Sequence, residues 1–192
     1  MRLGAVIAAA GLSSRMGAFK PLLPLGDSTM IGQVIAAFQG AGVAEIVVVT
    51  GHRARELESA LSGTGVTFVR NPRYAVTEMF DSAVLGFRAL TGRCDALFFT
   101  PGDIPLFSVE TLKALAASGA PAAVPVWGGH RGHPLYLTAG TAALLAADEG
   151  AGGLRGALGR CGVAVGEIPV EDEGILLDAD TREAYLRLKE RI

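Results

Sequence analysis

The sequence predicts an α/β fold with a three-layer α/β/α arrangement around a mostly parallel, mixed sheet of about seven strands. Short β-branched runs such as Leu3–Ala8 and Glu45–Thr50 alternate along the chain with segments of helical periodicity, which is typical of βαβ crossovers. Half of the 192 residues are hydrophobic and only 19% are charged, so the composition excludes a disordered chain. A chain of this length is predicted to form one domain, residues 1–192, without metal or disulfide staples.

The strands are predicted where apolar runs are bounded by glycine, proline or polar residues. They are Leu3–Ala8, Glu45–Thr50, Val66–Val69, Asp95–Thr100, Ala122–Val126 and Pro134–Leu137, with further extended segments at Val163–Val170 and Gly174–Leu177.

The helices are predicted where apolar residues recur at helical spacing, in several cases behind a hydroxyl residue that can serve as N-cap. They are the segment from Ser28 or Thr29 to Gly40, then Arg53–Leu61, Glu78–Leu90, Ser108–Ala117, Thr138–Ala147, Leu154–Arg160 and Thr181–Arg191.

Charge and cysteine content narrow the class of protein. The formal net charge is −2, so no basic surplus is present for a nucleic-acid backbone, and we expect no nucleic-acid partner. Cys94 and Cys161 are isolated, which argues against a disulfide scaffold or a structural zinc site and fits a reducing compartment. We therefore expect a cytoplasmic protein.

No stretch predicts a membrane span. The longest uncharged stretches, Ala114–Gly129 and Pro134–Ala147, are broken by Gly, Pro or Thr and fall short of the roughly 18 apolar residues that a spanning helix needs. The first ten residues resemble the start of a signal peptide, but a buried first strand is favoured because Arg15 and Lys20 follow at once.

The loop after the first strand has the composition of a polyphosphate site. Its small residues Ala9, Ala10 and Gly11 allow close approach of a ligand to the backbone, and Arg15 offers a planar fork of donors that suits phosphate oxygens. Lys20 adds a point charge. The alternative is an ordinary glycine-containing turn with two solvated cations.

Asp103 is the second candidate for chemistry. It follows the buried strand Asp95–Thr100, and a carboxylate at the carboxyl end of a strand can hold Mg²⁺ together with phosphate oxygens. The alternative is an Asx turn. By sequence alone, Asp180 or Thr181 is a good N-cap of the last helix.

Several other site types are disfavoured because their residue patterns are missing. The chain has no GxxxxGK[ST] P-loop, no GxGxxG dinucleotide fingerprint and no GxSxG nucleophile elbow. His130 and His133 lack Cys or Glu partners nearby, which argues against a zinc site. The missing GxGxxG fingerprint also argues against a nicotinamide-dependent oxidoreductase.

The run from Ala9 to Lys20 resembles the signature loop of the MobA/MocA-like nucleotidyltransferases, the molybdenum cofactor cytidylyltransferase and guanylyltransferase group. Four further motifs recur in the same order over nearly the whole chain. The matching residues are Ala9, Ala10, Gly11, Ser13, Arg15, Met16, Gly17 and Lys20, then Asn71-Pro72, Pro101–Pro105, Gly132–Pro134 and Asp178–Thr181. The resemblance implies a Rossmann-like, GT-A-like fold of the nucleotide-diphospho-sugar transferase type.

The resemblance also implies roles for individual residues. Catalytic roles fall to Arg15, Lys20 and Asp103, and Mg²⁺ is held by Asp103 and Asp180, with Asp178 as the alternative second ligand. Arg131 and His133 would contact the acceptor. Nucleotide contacts are implied for Ala9, Ala10, Gly11, Ser13, Arg15, Lys20, Asn71, Ser82 and Asp103, and Thr50 is added because it follows the second strand. Glu78 and Asp81 depart from the family pattern, which has Gly and Ser there.

The implied function is transfer of a nucleoside monophosphate from CTP or GTP to a phosphorylated acceptor, with release of pyrophosphate. Ala10 stands where the guanylyl branch usually has a second glycine, so CTP is favoured. Molybdopterin is the favoured acceptor, and a molybdoenzyme is the expected recipient of the product. A sugar phosphate or polyol phosphate acceptor, and a non-catalytic nucleotide-binding module, remain alternatives.

Overall fold

The computed structural model describes residues 1–12, 18–148 and 152–192. Ten strands are distributed along these residues: β1 Leu3–Ala9, β2 Pro24–Leu25, β3 Ser28–Thr29, β4 Glu45–Thr50, β5 Thr67–Arg70, β6 Ala96–Pro101, β7 Ala122–Trp127, β8 His130–Arg131, β9 Leu135–Thr138 and β10 Val165–Pro169. The described helices are α1 Met30–Gly40, α2 Ala54–Ala60, α3 Met79–Leu90, α4 Val109–Ala116, α5 Ala139–Ala147, α6 Gly153–Arg160 and α7 Arg182–Lys189. Two short 3₁₀ turns span Lys20–Leu22 and Glu173–Leu176.

The main sheet has the strand order β10-β7-β9-β6-β1-β4-β5, with β8 paired to β7 beside this path. Strand β1 lies in the middle and pairs in parallel with β4 and β6, whereas β9 runs antiparallel to both β6 and β7. The prediction of a mostly parallel, mixed sheet is therefore confirmed. The carboxyl ends of β1, β4 and β6 lie at one edge of the sheet, where ligands bind in folds of this class.

Helices cover both faces of the sheet. On one face, Ala5 and Ile7 of β1 pack with residues of α1, α2 and α4, such as Phe38, Leu57 and Leu112. On the other face, Val6 packs with α3, α5 and α6. Because side chains alternate along a strand, one central strand contributes to two cores, and this produces the predicted three layers.

Three of the hydroxyl residues proposed as N-caps act as such. The side-chain oxygen of Thr29 accepts the N–H of Gly32 at 3.2 Å at the start of α1. Ser108 and Thr181 accept in the same way at the starts of α4 and α7. Each cap satisfies one backbone donor that the first turn of a helix leaves unpaired.

The prediction of an extended segment at Gly174–Leu177 is wrong, because this segment begins with the 3₁₀ turn Glu173–Leu176. Asp172 causes the turn. Its carboxylate accepts the N–H of Gly174 at 3.0 Å, and its other oxygen accepts from Ser108 N–H at 2.8 Å and from the Thr111 hydroxyl at 2.6 Å. The apolar run Ile175–Leu177 hides this from a pattern-based prediction.

No described helix combines the length and the apolar character needed to cross a bilayer.

Candidate functional site

A cavity of about 240 Å³ lies at the carboxyl edge of the central strands. It is bounded by the loop after β1, the start of the 3₁₀ turn at Lys20, the end of β6 and the segment that leads into α3. The described residues that line it are Ala8, Ala9, Ala10, Gly11, Lys20, Pro21, Tyr74, Thr77, Glu78, Met79, Ser82, Pro101, Gly102 and Asp103. Six of the predicted nucleotide-binding residues therefore line one cavity: Ala9, Ala10, Gly11, Lys20, Ser82 and Asp103.

The ammonium group of Lys20 joins two carboxylates that are distant in sequence. Its Nζ lies 2.7 Å from Oδ1 of Asp180 and 3.3 Å from Oδ2 of Asp103. The Lys20 side chain is only 10% exposed, against 26% for Asp103 and 41% for Asp180. The structure thus brings together three charged residues that the motifs had singled out near the start, in the middle and near the end of the chain.

The pKa of Lys20 depends on two opposing effects, which are burial and the interactions with Asp180 and Asp103. Burial disfavours the charged ammonium and lowers the pKa, but the hydrogen bond to Asp180 and the negative charge of Asp103 outweigh it, so the pKa is raised above 10.5. Lys20 is therefore a cation at neutral pH and can meet an anionic ligand.

Backbone contacts hold the two carboxylates at this edge. The N–H of Ala179 donates to the carbonyl of Asp103 at 3.2 Å, which ties the segment before α7 to the end of β6. The carboxylate of Asp178 accepts the N–H of Asp180 at 3.0 Å. Asp178 thus turns the chain so that Asp180, rather than Asp178, reaches Lys20.

The donor set suits a magnesium ion with few protein ligands. Within the part of the chain that the structure describes, no three His, Cys, Asp or Glu side chains converge as a ready-made metal cage. Two carboxylates that converge on one cation do fit Mg²⁺, which keeps waters and takes further oxygens from substrate phosphates. Asp103 and Asp180 are the residues that could hold it.

The wall opposite Lys20 comes from the loop after β5 and the first turn of α3. Asn71 holds this wall in place through three hydrogen bonds. Its Nδ2 donates to Oγ1 of Thr77 at 2.9 Å and to Oγ of Ser82 at 3.0 Å. Its Oδ1 accepts the N–H of Arg73 at 3.0 Å. Asn71 is buried and does not itself line the cavity. Ser82 does, whereas a direct nucleotide contact by Asn71 stays a prediction.

Thr50 is also placed behind the cavity. It is fully buried, and its hydroxyl donates to Glu58 at 3.0 Å. Arg70 holds the same carboxylate with its Nε at 2.8 Å and thereby lowers the pKa of Glu58. Thr50 lies outside the cavity lining, so its predicted contact with the nucleotide also remains a prediction.

Gly51, next to Thr50, allows its own segment to pack closely against the segments that contain Ala10 and Tyr74. A Cβ atom at this position would lie 2.6 Å from Cβ of Tyr74 and 2.7 Å from the carbonyl oxygen of Ala10, so no side chain fits. The rings of Phe19 and Tyr74 each lie 6.0 Å from the ring of His52. These contacts connect the residue before Lys20 with the opposite wall of the cavity.

Arg131 and His133, the predicted acceptor contacts, lie outside the cavity lining. Arg131 is exposed and donates from Nε to Glu167 at 2.8 Å. The backbone N–H of His133 donates to Ile175 at 3.0 Å, and its Nδ1 is buried without a hydrogen-bond partner among the described atoms. Burial lowers the pKa of His133, although the negative charge of Asp103 opposes this. Acceptor binding by either residue stays a prediction.

Ser13 and Arg15 lie outside the described residues, as do the neighbouring Ser14, Met16 and Gly17. Gly11, at the start of this loop, is described, and a side chain there would project into open space. Tyr74, Thr77, Glu78 and Met79 are cavity residues to which sequence patterns assign no individual role. Their only sequence signal is their position between the Asn71-Pro72 motif and Ser82.

Comparisons with known proteins place the chain among nucleotidyl transferases. A family model described as the MobA-like NTP transferase domain matches residues 5–165. The molybdenum cofactor cytidylyltransferase of Escherichia coli is 29% identical, over 97% of this chain and 95% of that protein. A nucleotidyl transferase from Methanothermobacter thermautotroptrophicus superposes with a TM-score of 0.85 at 31% identity, covering 99% and 97% of the two chains. A manganese complex of Rv0371C from Mycobacterium tuberculosis superposes with a TM-score of 0.77 at 25% identity, covering both chains in full.

Proposed function

The chain belongs to the MobA-like NTP transferase family, and from this premise we propose that it transfers CMP from CTP to a phosphorylated small molecule and releases pyrophosphate. Molybdopterin is the proposed acceptor. The observation that carries the proposal is the convergence of Lys20, Asp103 and Asp180 at the cavity edge. A cation and a pair of carboxylates beside a glycine turn form a set that can engage a triphosphate and its metal ion.

The reaction needs little acid–base help from the protein. An oxygen of the acceptor phosphate forms a bond to the α-phosphorus of CTP, and the bond from that phosphorus to the bridging oxygen of the leaving pyrophosphate breaks. A phosphate monoester is already anionic near neutral pH, so no general base is required. Catalysis then consists of positioning and charge neutralisation.

Lys20 contributes a fixed positive charge to this step. Its ammonium is held by the two carboxylates and is largely buried, so it is oriented before a nucleotide enters. A buried cation interacts with phosphate oxygens more strongly than a solvated one. Gly11, with open space where a side chain would be, leaves room for phosphates against the backbone.

Asp103 and Asp180 are proposed to hold Mg²⁺, which when bound supplies Lewis-acid stabilisation of charge on the phosphate oxygens. The pair fits the ion because both carboxylates already lie against one cation. The manganese complex of the Mycobacterium tuberculosis relative supports a divalent ion in this family.

CTP is proposed rather than GTP on two grounds. The Ala9-Ala10-Gly11 form of the loop resembles the cytidylyl branch, and the Escherichia coli relative is a molybdenum cofactor cytidylyltransferase. The same relative supports molybdopterin as the acceptor, because the similarity spans 95% of its length.

The test is a pyrophosphate-release assay with Mg²⁺, each of the four ribonucleoside triphosphates, and molybdopterin, a sugar phosphate or a polyol phosphate as acceptor. We expect release with CTP and molybdopterin, and its loss in the Lys20→Met variant. The exposed Lys113→Met variant is the matched control and should retain wild-type turnover. Pyrophosphate release with a different acceptor only would overturn the proposal that molybdopterin is the acceptor. Nucleotide binding without pyrophosphate release from any combination of triphosphate and acceptor would overturn the proposal that the protein is a catalyst.

A further inference from the structure

The cavity has two chemically different sides. Lys20 and Asp103 lie on the side of β1 and β6, where the phosphates are proposed to bind. The opposite wall consists of Tyr74, Thr77, Glu78, Met79 and Ser82. Among the described residues that line this wall, Glu78 is the one that carries a charge. A nucleotide that meets Lys20 with its phosphates and crosses the cavity would bring its base towards the residues around Glu78.

Glu78 is fixed in place by the start of α3. Its carboxylate accepts the backbone N–H of Asp81, and Asp81 in turn accepts the N–H of Glu78 at 2.8 Å. A carboxylate offers two oxygens with about four acceptor positions. The cap uses one of them, so acceptor capacity remains for a ligand. Residue 153, whose side chain would come within 3.7 Å of Oε2 of Glu78, is a glycine.

Two hydroxyl groups of the same wall, those of Thr77 and Ser82, make hydrogen bonds within the protein. Oγ1 of Thr77 donates to the carbonyl of Arg73 at 3.0 Å and accepts from Asn71. Oγ of Ser82 also accepts from Asn71. Among the described residues of this wall, Glu78 thus offers a base the one negatively charged acceptor, next to the Tyr74 ring, the Met79 side chain and the Ser82 hydroxyl.

We propose that Glu78 selects a nucleobase that carries an amino group, so that the cavity binds a cytidine triphosphate in preference to a uridine triphosphate. Cytosine presents its N4 amino group as a donor at the position where uracil presents the O4 acceptor. The Glu78 carboxylate accepts from that amino group and repels O4. This inference rests on the proposed function, because it assumes that the cavity binds a nucleoside triphosphate.

Binding measurements with non-hydrolysable analogues test this without an acceptor. Calorimetric titration with the α,β-methylene analogues of CTP and UTP, in Mg²⁺, gives the ratio of the two dissociation constants. We expect the wild-type protein to bind the cytidine analogue at least about tenfold more tightly, as for a hydrogen bond to a charged group. In Glu78→Gln the ratio should fall below about threefold, because an amide both accepts and donates.

Glu78→Gln keeps the cap, since the amide oxygen also accepts the N–H of Asp81, and its melting temperature verifies that the variant is folded. Glu110→Gln is the matched control: Glu110 lies in the first turn of α4, is exposed and is not one of the residues that line the cavity, so its ratio should equal that of the wild type.

The outcomes separate the two proposals. If the wild-type protein binds neither analogue, the proposed function itself fails. If it binds both analogues equally, or if Glu78→Gln keeps the wild-type ratio, the role of Glu78 is overturned, whereas the proposed nucleotidyl transfer is not contradicted. Loss of selectivity in Glu78→Gln alone supports the role.

Discussion

The Nζ atom of Lys20 donates a hydrogen bond of 2.7 Å to Oδ1 of Asp180, across 160 positions of sequence. The bond connects the 3₁₀ turn after β1 with the segment before α7, and Asp103 at the end of β6 completes the cluster. Three of the predictions below concern this cluster and the segments that support it.

Removal of the Lys20 ammonium is expected to reduce pyrophosphate release by at least about a hundredfold in Lys20→Met, because one fixed electrostatic stabiliser is lost. The variant also leaves two partly buried carboxylates without this partner. We expect its free energy of unfolding, measured in urea, to fall by about 1–2 kcal/mol near neutral pH. Wild-type turnover in Lys20→Met would contradict the assignment.

The charged lysine also implies a pH dependence of stability. Its pKa in the folded state is raised above 10.5, so the folded protein holds this proton more tightly than the unfolded chain. The stabilisation is fully present below pH 10.5 and is lost as the pH rises through the folded value. Urea unfolding between pH 9 and 11.5 should therefore show a smaller fall of stability in Lys20→Met than in the wild-type protein.

Neutralisation of either carboxylate is expected to reduce turnover at saturating Mg²⁺ by at least about a hundredfold in Asp103→Asn and in Asp180→Asn. Asp178→Asn provides the internal control. The Asp178 side chain accepts from the backbone of Asp180, and an asparagine oxygen can do the same, so turnover should change less than about threefold. If Asp178→Asn were inactive and Asp180→Asn active, Asp178 and not Asp180 would be the second ligand of the metal ion.

Gly51 is expected to tolerate no side chain. In Gly51→Ala the added methyl group would approach both Tyr74 and Ala10, and we expect a loss of about 1–3 kcal/mol in the free energy of unfolding. Gly140→Ala serves for comparison, because a Cβ there meets nothing within 4 Å and lies in α5. That variant should be unchanged or up to about 1 kcal/mol more stable.

His133 is expected to make stability depend on pH on the acid side. Its pKa in the folded protein lies below 6.5, so above pH 6.5 both states are neutral and the residue contributes nothing. Below pH 6.5 the unfolded chain binds a proton that the folded protein does not bind, and stability falls with a slope of up to about 1.4 kcal/mol per pH unit.

Urea unfolding between pH 7.5 and 5 measures this dependence. The slope should be smaller in His133→Gln than in the wild-type protein. The exposed His130→Gln variant leaves His133 in place and should keep the wild-type slope. Equal slopes in all three proteins would refute the role given to His133.

Local sequence patterns were sufficient for most of the fold. The β-branched runs of β1 and β4 correspond to buried strands, and hydroxyl residues start α1, α4 and α7 as predicted. The failure at Gly174–Leu177 has a tertiary cause: Asp172 bonds at once to its own turn and to the start of α4. Hydrophobic pattern does not encode a contact of that kind.

The charged part of the candidate site was predictable because motifs mark Lys20, Asp103 and Asp180 in the sequence. The opposite wall was predictable only in part, because both Ser82 and Asn71 were singled out but only Ser82 lines the cavity. Whether Asn71 faces a ligand or holds Thr77 and Ser82 from behind depends on the packing of the loop after β5 against α3, and the residue type fits both. The resemblance to the nucleotidyltransferase family is confirmed by the match over residues 5–165.

The internal ion cluster has a thermodynamic consequence for ligand affinity. Two like charges from remote segments would repel each other if nothing stood between them, and a ligand would then lose binding free energy in gathering them. Because Lys20 bonds to both carboxylates, folding already brings Asp103 and Asp180 together. The free-energy cost of bringing the two carboxylates together is therefore part of the folding equilibrium and not of the dissociation constant of a ligand. The protein is thus preorganised before a ligand binds at the cluster.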